Sequence, residues 1–227
     1  MEIINFKFNQ ELWDLLKNPS FSVYFENLIE KNKVMNLTNI TEEKEVYQKH
    51  FYDSVILSAI FELGKKSILD IGAGAGFPSI PLKILVDSLD VTIIDGLNKR
   101  INYLKELTEK LKLSNVSLLH GRAEEMSKNK SFDFVTARAV AKLNILSEIA
   151  LPYVKKDGYF VAYKSINYQE ELEEAKNAIK VLGAQLERIV EYEINKDLKH
   201  VLLVFKKIKE TPSIYPRQFA KIKKQPL

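Results

Sequence analysis

Between residues 67 and 82 the chain reads SILDIGAGAGFPSIPL: an apolar run, three glycines at alternate positions, and then a proline. An apolar run of that length ending on glycine predicts a buried strand that closes in a tight turn. The proline just beyond suits the first turn of a helix, where its missing N–H would have no partner anyway. Gly72, Gly74 and Gly76 strip the turn of side chains and let a ligand reach the main chain. The same texture repeats downstream. Strand-like runs at 91–95 (VTIID), 116–120 (VSLLH), 132–137 (FDFVTA) and 159–164 (YFVAYK) alternate with helical stretches, of which 98–113 carries Ile101, Leu104, Leu107 and Leu111 on one side. Near-continuous apolar strands separated by helices predict a doubly wound α/β fold with a mostly parallel sheet covered on both faces. A further helix (Leu172, Ala175, Ile179, Leu182) precedes two strand-like runs at 185–192 and 200–206. Their separation fits a hairpin, so the sheet, of seven strands in all, is expected to end with an antiparallel member.

A chain of 227 residues suits one structural domain. Residues 1–64 are expected to form a helical cap, because Phe21, Phe25, Leu28 and Ile29 share one helical face and Tyr47, Phe51 and Val55 recur every four residues. Residues 65–207 form the core and 208–227 a basic tail. From Lys206 onward there are seven basic residues (Lys206, Lys207, Lys209, Arg217, Lys221, Lys223, Lys224) against the single acid Glu210, although the whole chain carries only +4. A clustered positive charge of this kind points to a polyanion, since Lys and Arg near phosphates release condensed counterions. No leader, transit pattern or membrane span is visible, so a cytoplasmic monomer with no membrane partner is expected. The absence of cysteine removes disulfides, thiolate nucleophiles and Cys-ligated metals together. His50, His120 and His200 lack metal-ligand spacing and are expected to be structural, with no metal site.

The nature of the ligand follows from what the loop lacks. A dinucleotide fingerprint would place its third glycine where Phe77 stands, and no Gly-Lys-Ser/Thr follows to make a phosphate loop. What remains, Asp70 through Gly76 as D-x-G-x-G-x-G, is similar to the first motif of S-adenosylmethionine-dependent methyltransferases, whose cofactor has an adenosine and an amino-acid end but no phosphate. Asp95 closes the second strand about 20 residues on, where an acid accepts hydrogen bonds from ribose hydroxyls. Gly121-Arg122-Ala123-Glu124 follows the third strand, at the edge that reaches the adenine. Arg138 ends the fourth between Ala137 and Ala139, and a cation so flanked must find an internal carboxylate, the cofactor or the substrate. Attack on pyrimidine C5 needs a thiolate, and none exists. Methylation of exocyclic amines commonly goes with a D/N-P-P-Y/F tetrapeptide, where this chain has Thr136-Ala137-Arg138-Ala139. Guanine N7, whose lone pair is already free, needs only orientation and proximity. A small-molecule methyltransferase, a non-catalytic RNA-binding ribosome assembly factor and a nicotinamide oxidoreductase stay open on these residues alone.

Further stretches carry a more specific resemblance: Asn36-Leu37-Thr38, His50-Phe51-Tyr52-Asp53-Ser54, the loop from Asp70 to Pro81, Gly121-Arg122-Ala123-Glu124, FDFVTARAVAKL from Phe132 to Leu143, Tyr163-Lys164, Tyr215-Pro216-Arg217 and Pro226-Leu227. In this order they resemble the motifs of the bacterial small-subunit ribosomal RNA guanine-N7 methyltransferase family, also called glucose-inhibited division protein B. The resemblance covers nearly the whole chain. It implies a Rossmann-like methyltransferase fold and transfer of methyl from S-adenosylmethionine to N7 of a guanine in 16S ribosomal RNA, either as free RNA or in the small subunit. The cofactor contacts it implies are Gly72, Phe77, Ala123, Glu124 and Arg138, beside Gly74, Gly76 and Asp95 from the loop reading. Arg138, Lys164 and Arg217 are expected to face the RNA. Two departures stand out: Asp95-Gly96 where the family often has Glu-Ser, which keeps the carboxylate but shortens its reach, and Lys164-Ser165 where it often has Lys-Gly.

Overall fold

The computed structural model describes residues 1–127 and 129–227. The chain opens with a strand, β1 (Glu2–Phe6), and then turns helical through α1 (Gln10–Leu15), α2 (Pro19–Met35) and a continuous stretch made of α3 (Glu43–Val46), a π-helical segment at Tyr47–Tyr52, α4 (Asp53–Val55) and α5 (Leu57–Ile60). Helix α2 starts as its sequence dictates: the Asn18 side chain accepts a hydrogen bond from the Ser20 N–H, and Pro19 occupies the first turn. Strands and helices then alternate: β2 (Ser67–Ile71), α6 (Ser79–Leu85), β3 (Asp90–Asp95), α7 (Asn98–Lys110), β4 (Val116–His120), a 3-10 turn at Ala123–Glu125, β5 (Phe132–Arg138), α8 (Leu143–Ala150), a second 3-10 turn at Leu151–Tyr153, β6 (Val154–Ser165), α9 (Gln169–Val181), β7 (Ala184–Asn195), β8 (Leu198–Lys207) and α10 (Phe219–Lys224).

The strands form one sheet in the order β1-β7-β8-β6-β5-β2-β3-β4, parallel throughout except for β8, which runs antiparallel to both of its neighbours. The chain leaves β2 toward β3 and β4 and comes back on the other side to β5 and β6, so the carboxyl ends of β2 and β5 flank a crossover point. In open α/β sheets this is where ligands bind. Side chains of β2 and β3 divide between two layers. Ile68 and Ile93 pack with the cap residues Phe21, Tyr24, Phe51 and Tyr52, whereas Leu69, Ile71 and Ile94 pack with Leu146 of α8 and Ile179 of α9. That is the two-sided burial expected of near-continuous apolar strands.

The sheet has eight strands, not the expected seven. The extra member is β1, paired in parallel with β7 from Glu2↔Arg188 to Phe6↔Tyr192. Its alternation is blurred: Ile4 and Phe6 pack on the core while Ile3, on the outer face of an edge strand, is 56% exposed. The hairpin is also longer than its apolar runs, because residues 193–195 and 198–199, with Ile194 buried among polar neighbours, continue the pairing and leave only Lys196 and Asp197 as the turn.

The basic tail folds back on the core. Ile222 of α10 is fully buried against the layer that holds α8, with Tyr215, Phe219 and Leu227 packed around it. Two of the seven tail cations are turned inward. Lys207 is buried, donates to the Leu151 carbonyl oxygen and pairs with Thr211 Oγ1. Arg217 grips the buried Glu148 with Nε at 2.7 Å and Nη2 at 2.5 Å. Because only a guanidinium can make both contacts, Arg217→Lys should lower the unfolding free energy by about 1–2 kcal/mol in urea titrations.

Candidate cofactor and acceptor site

Three successive strands of the sheet end in bare backbone. Beyond β2, β3 and β4 stand Gly74, Gly96 and Gly121, and a Cβ placed on any of them would meet nothing within 4 Å. Gly74 (φ +60°) and Gly121 (φ +152°) also hold conformations that L side chains rarely adopt. Their neighbours Gly72 and Gly76 serve another purpose. A Cβ on Gly72 would stand 2.9 Å from Val140 Cγ2, and one on Gly76 would stand 2.8 Å from both Ile80 Cγ1 and Tyr24 Oη. Glycine at 72 and 76 therefore lets the loop pack inward, while glycine at 74, 96 and 121 keeps the rim open.

The carboxylates fix this rim. Asp70, fully buried, accepts from the Ser79 N–H across the loop at 3.1 Å, and burial pushes its carboxyl up to about 7 against that hydrogen bond. Asp95 accepts from the Gly74 N–H at 3.2 Å and the Leu97 N–H at 2.9 Å, with Arg100 Nη1 at 3.4 Å, so it binds the first loop to the end of β3. After β4, Ala123 is buried. The Glu124 side chain is 6% exposed, and its Oε1 has no hydrogen-bond partner among the described residues, only a loose ion pair with Arg122 Nη1 at 3.6 Å. A buried acceptor with no hydrogen bond of its own, beside a bare strand end, fits the amino group of a nucleoside base, and the three open glycines fit its flat body. The residues present thus suit S-adenosylmethionine. The Phe77 ring does not face the rim: it is buried between His50, at 4.7 Å between ring centroids, and Tyr24, at 5.5 Å, which leaves its backbone as the part available to a cofactor.

A cavity of about 410 Å³ opens beside the rim, lined by residues that include Lys49, His50, Asp53, Arg138, Lys164 and His200. Arg138 leaves the end of β5 with its guanidinium 4.8 Å above the Phe77 ring, and its donors are taken up by the cap: Nη1 to Asp53 Oδ2 at 2.7 Å and to the Lys49 carbonyl oxygen at 3.2 Å, and Nη2 to His50 Nδ1 at 3.1 Å. The partner of Arg138 is thus an internal carboxylate. Asp53 in turn accepts at Oδ1 from Tyr192 Oη and His200 Nδ1, both at 2.7 Å. Tyr192 and His200 are direct cross-strand partners on β7 and β8, which is why two donors reach one oxygen. Burial alone would raise the Asp53 carboxyl, but the His200 hydrogen bond and the Arg138 charge outweigh it and hold it below the ordinary carboxylate range.

His50 is set by the same neighbour. Nδ1 lies 3.1 Å from both Arg138 Nη2 and the Lys49 carbonyl oxygen; because a guanidinium can only donate and that carbonyl already accepts from Arg138, the arrangement favours a lone pair on Nδ1 and the ring proton on Nε2, facing Thr38 Oγ1 at 2.8 Å. Burial, reinforced by the Arg138 charge, pushes His50 down from 6.5 to about 4. The unfolded chain therefore holds the extra proton between those values, and this group loses the fold stability as pH is lowered through that window. A His50→Gln variant should lack that component, so its stability deficit against the wild type, read by urea unfolding, should shrink from pH 7 toward pH 4.5.

Of the remaining expected contacts, Lys164 lines the cavity but donates to the Ala141 carbonyl oxygen at 3.0 Å and to Glu171 Oε2 at 2.5 Å. Arg217 lies away from this cavity, in its ion pair with Glu148 beside Arg122 and Glu124. Reasoning on the sequence left Asp53 and Tyr192 without a role and treated His50 and His200 as structural. The one signal was the stretch from His50 to Ser54, which the structure places at a π-helical segment, a feature common near functional sites. Among the described residues no cluster of His, Asp or Glu could hold a metal.

The family model described as rRNA small subunit methyltransferase G matches residues 17–201. The chain belongs to the rRNA small subunit methyltransferase G family. A member from Lactococcus lactis subsp. cremoris strain MG1363 is 52% identical over 214 residues, which cover 91% of this chain and 90% of that one. A member from Lactobacillus helveticus strain DPC 4571 is 50% identical over 230 residues, covering 97% and 95%. Solved structures share the fold at low identity. NSun6 from Pyrococcus horikoshii with SFG superposes with a TM-score of 0.58 at 15% identity, over 70% of this chain and 52% of that one. The ribosomal protein L11 methylase from Lactobacillus delbrueckii subsp. bulgaricus gives 0.56 at 13%, over 71% and 80%. As a member of the rRNA small subunit methyltransferase G family, the chain is a methyltransferase whose cofactor is S-adenosylmethionine.

Proposed function

We propose that the protein transfers the methyl group of S-adenosylmethionine to N7 of a guanine in 16S ribosomal RNA, acting as a cytoplasmic monomer on the RNA or on the small subunit. The observation that carries this reading is the adjacency of two differently built spaces: a bare-backbone rim that suits a nucleoside, and a side-chain-walled cavity next to it whose volume of about 410 Å³ suits a base. Among the described residues no helix is long and apolar enough to cross a membrane.

Bound S-adenosylmethionine supplies a methyl group activated as a sulfonium. Gly72, Gly74, Gly76 and the Phe77 backbone are assigned to its amino-acid end, Asp95 to the ribose, and Ala123 and Glu124 to the adenine. The chain's contribution to the chemistry is orientation. Asp53 holds Arg138 between rim and cavity, and no proton has to leave guanine before its N7 lone pair attacks. The carboxylates near the crossover, Asp53, Asp70 and Asp95, all accept hydrogen bonds from the protein and so hold the frame together. Arg138 and Lys164 are assigned to the acceptor side. The phosphate contacts expected of Arg217 pass to Lys221, Lys223 and Lys224, the exposed cations of the helix that Arg217 anchors.

The test is to map N7-methylguanine in 16S ribosomal RNA from cells with and without the protein, and to assay the purified enzyme on RNA and on subunits. One N7-methylguanine should disappear on deletion and return on complementation. A modification pattern unchanged by deletion, together with no transfer to either substrate, would overturn the assignment.

A further inference from the structure

His200 is tied down at one ring nitrogen only. Nδ1 lies 2.7 Å from Asp53 Oδ1, an oxygen already turned toward Tyr192, and an ionised carboxylate can only accept. The proton on Nδ1 is thereby fixed, and in the neutral imidazole the other nitrogen, Nε2, must carry a lone pair. Nε2 has no hydrogen-bond partner among the described residues. The ring is 27% exposed, on the wall of the cavity that Arg138 and Lys164 also line. The contrast with His50 is chemical: both nitrogens of His50 are occupied, by Arg138 and Thr38, whereas His200 keeps an oriented acceptor in reserve.

The charged groups that share the cavity wall are already engaged: Asp53 by its donors, Arg138 by the cap, Lys49 by Glu45 and Lys164 by Glu171. An aimed lone pair left free among them selects for a ligand N–H. Guanine offers one at N1, whereas adenine presents an acceptor there. We propose that His200 is a specificity-determining residue: held by Asp53, it accepts the N1–H of the guanine in the cavity through Nε2. The inference rests on the guanine-N7 reading given above and adds the means of base selection. It also has a kinetic consequence. In the reaction the N7 lone pair forms the new bond to the methyl carbon, the carbon–sulfur bond breaks with its electron pair left on sulfur, and the positive charge passes to the purine. N1–H becomes more acidic as that charge grows, so the bond to His200 is stronger in the transition state than in the ground state, and its loss is felt in kcat more than in KM.

The experiment compares wild type, His200→Ala and His200→Asn on 16S ribosomal RNA in subunits, measuring kcat, KM, S-adenosylmethionine affinity and thermal unfolding. An asparagine amide at 200 can still donate to Asp53 from the place of Nδ1 but offers nothing at the place of Nε2. Both variants should lose about tenfold or more in kcat, the scale of one directed hydrogen bond, with cofactor affinity within about twofold of wild type. A wild-type kcat in His200→Asn would overturn the inference, because His200 would then act only by bracing Asp53. RNA with 2-aminopurine at the target position, which lacks N1–H, gives an arm that needs no variant: the wild type should lose a similar factor, and undiminished transfer to it would also overturn the inference. If the wild type forms no N7-methylguanine at all, the functional reading fails instead.

Discussion

Gly74→Val should lower S-adenosylmethionine affinity by about a hundredfold or more, the equivalent of about 2.7 kcal/mol, in a chain that still folds. The argument is positional. A Cβ at 74 meets no protein atom within 4 Å, so the side chain starts into the space assigned to the cofactor and not into the core. The fold bears only the strain of a β-branched residue at φ +60°, about 1–2 kcal/mol. Gly76→Ala makes the opposite trade two residues away, because its Cβ would stand under 3 Å from Ile80, Tyr24 and Leu104. Calorimetric titration with the cofactor and thermal unfolding should separate the two: lost affinity with a modest change in Tm at 74, and a falling Tm at 76. Cofactor affinity unaltered in Gly74→Val would remove the loop from the site.

Asp53→Ala should cost about 3–5 kcal/mol of stability and lower Tm by on the order of 10 °C, because it leaves Arg138 charged and unpaired beneath the cap. The carboxylate is 2% exposed and the guanidinium 16%, so water can replace little of what is lost. Three donors lose their acceptor together: Arg138 Nη1, Tyr192 Oη and His200 Nδ1. Methyl transfer should fall by more than the folded fraction does, since the base pocket loses its frame. Asp53→Asn keeps the shape and removes the charge, and should lie between wild type and alanine. A variant with an alanine at 53 that unfolds at the wild-type temperature would show that the network carries little of the stability.

The parts of this molecule that follow from local pattern were readable in its residues. Residues 67–71 and 116–120 have the same limits in the structure as in the strand-like runs: β2 is buried from Ile68 to Ile71, and β4, at the sheet edge, keeps its apolar Val116, Leu118 and Leu119 half-buried while Ser117 and His120 are exposed. Pattern failed where pairing supplies what composition lacks. β1 is a short edge strand held mainly by β7, and residues 193–199 mix five polar residues with Ile194 and Leu198, too few apolar positions to mark a strand although most of the segment is one. The bare rim was visible in part. Gly72, Gly74 and Gly76 stand in one stretch, but their division into inward-packed and open glycines depends on Val140, Ile80, Tyr24 and Leu104, which only the tertiary structure brings near. The cavity was the least legible feature. Asp53 lies 147 positions from His200 and 139 from Tyr192, and neither histidine has spacing that marks it as anything but a packed ring.

The clasp at Asp53 also limits how a nucleic acid can approach. One carboxylate in the cap joins the ends of β5, β7 and β8, so the cavity's opposing walls are fastened to each other and have little freedom to part. A space of about 410 Å³ with coupled walls has no room for a paired duplex. If its occupant is a guanine of ribosomal RNA, that nucleotide must swing out of its stack and enter alone, and the unstacking energy, a few kcal/mol, falls on the RNA and not on the protein. A target in a loop or bulge, already partly unstacked, would reach the methyl donor with the least resistance.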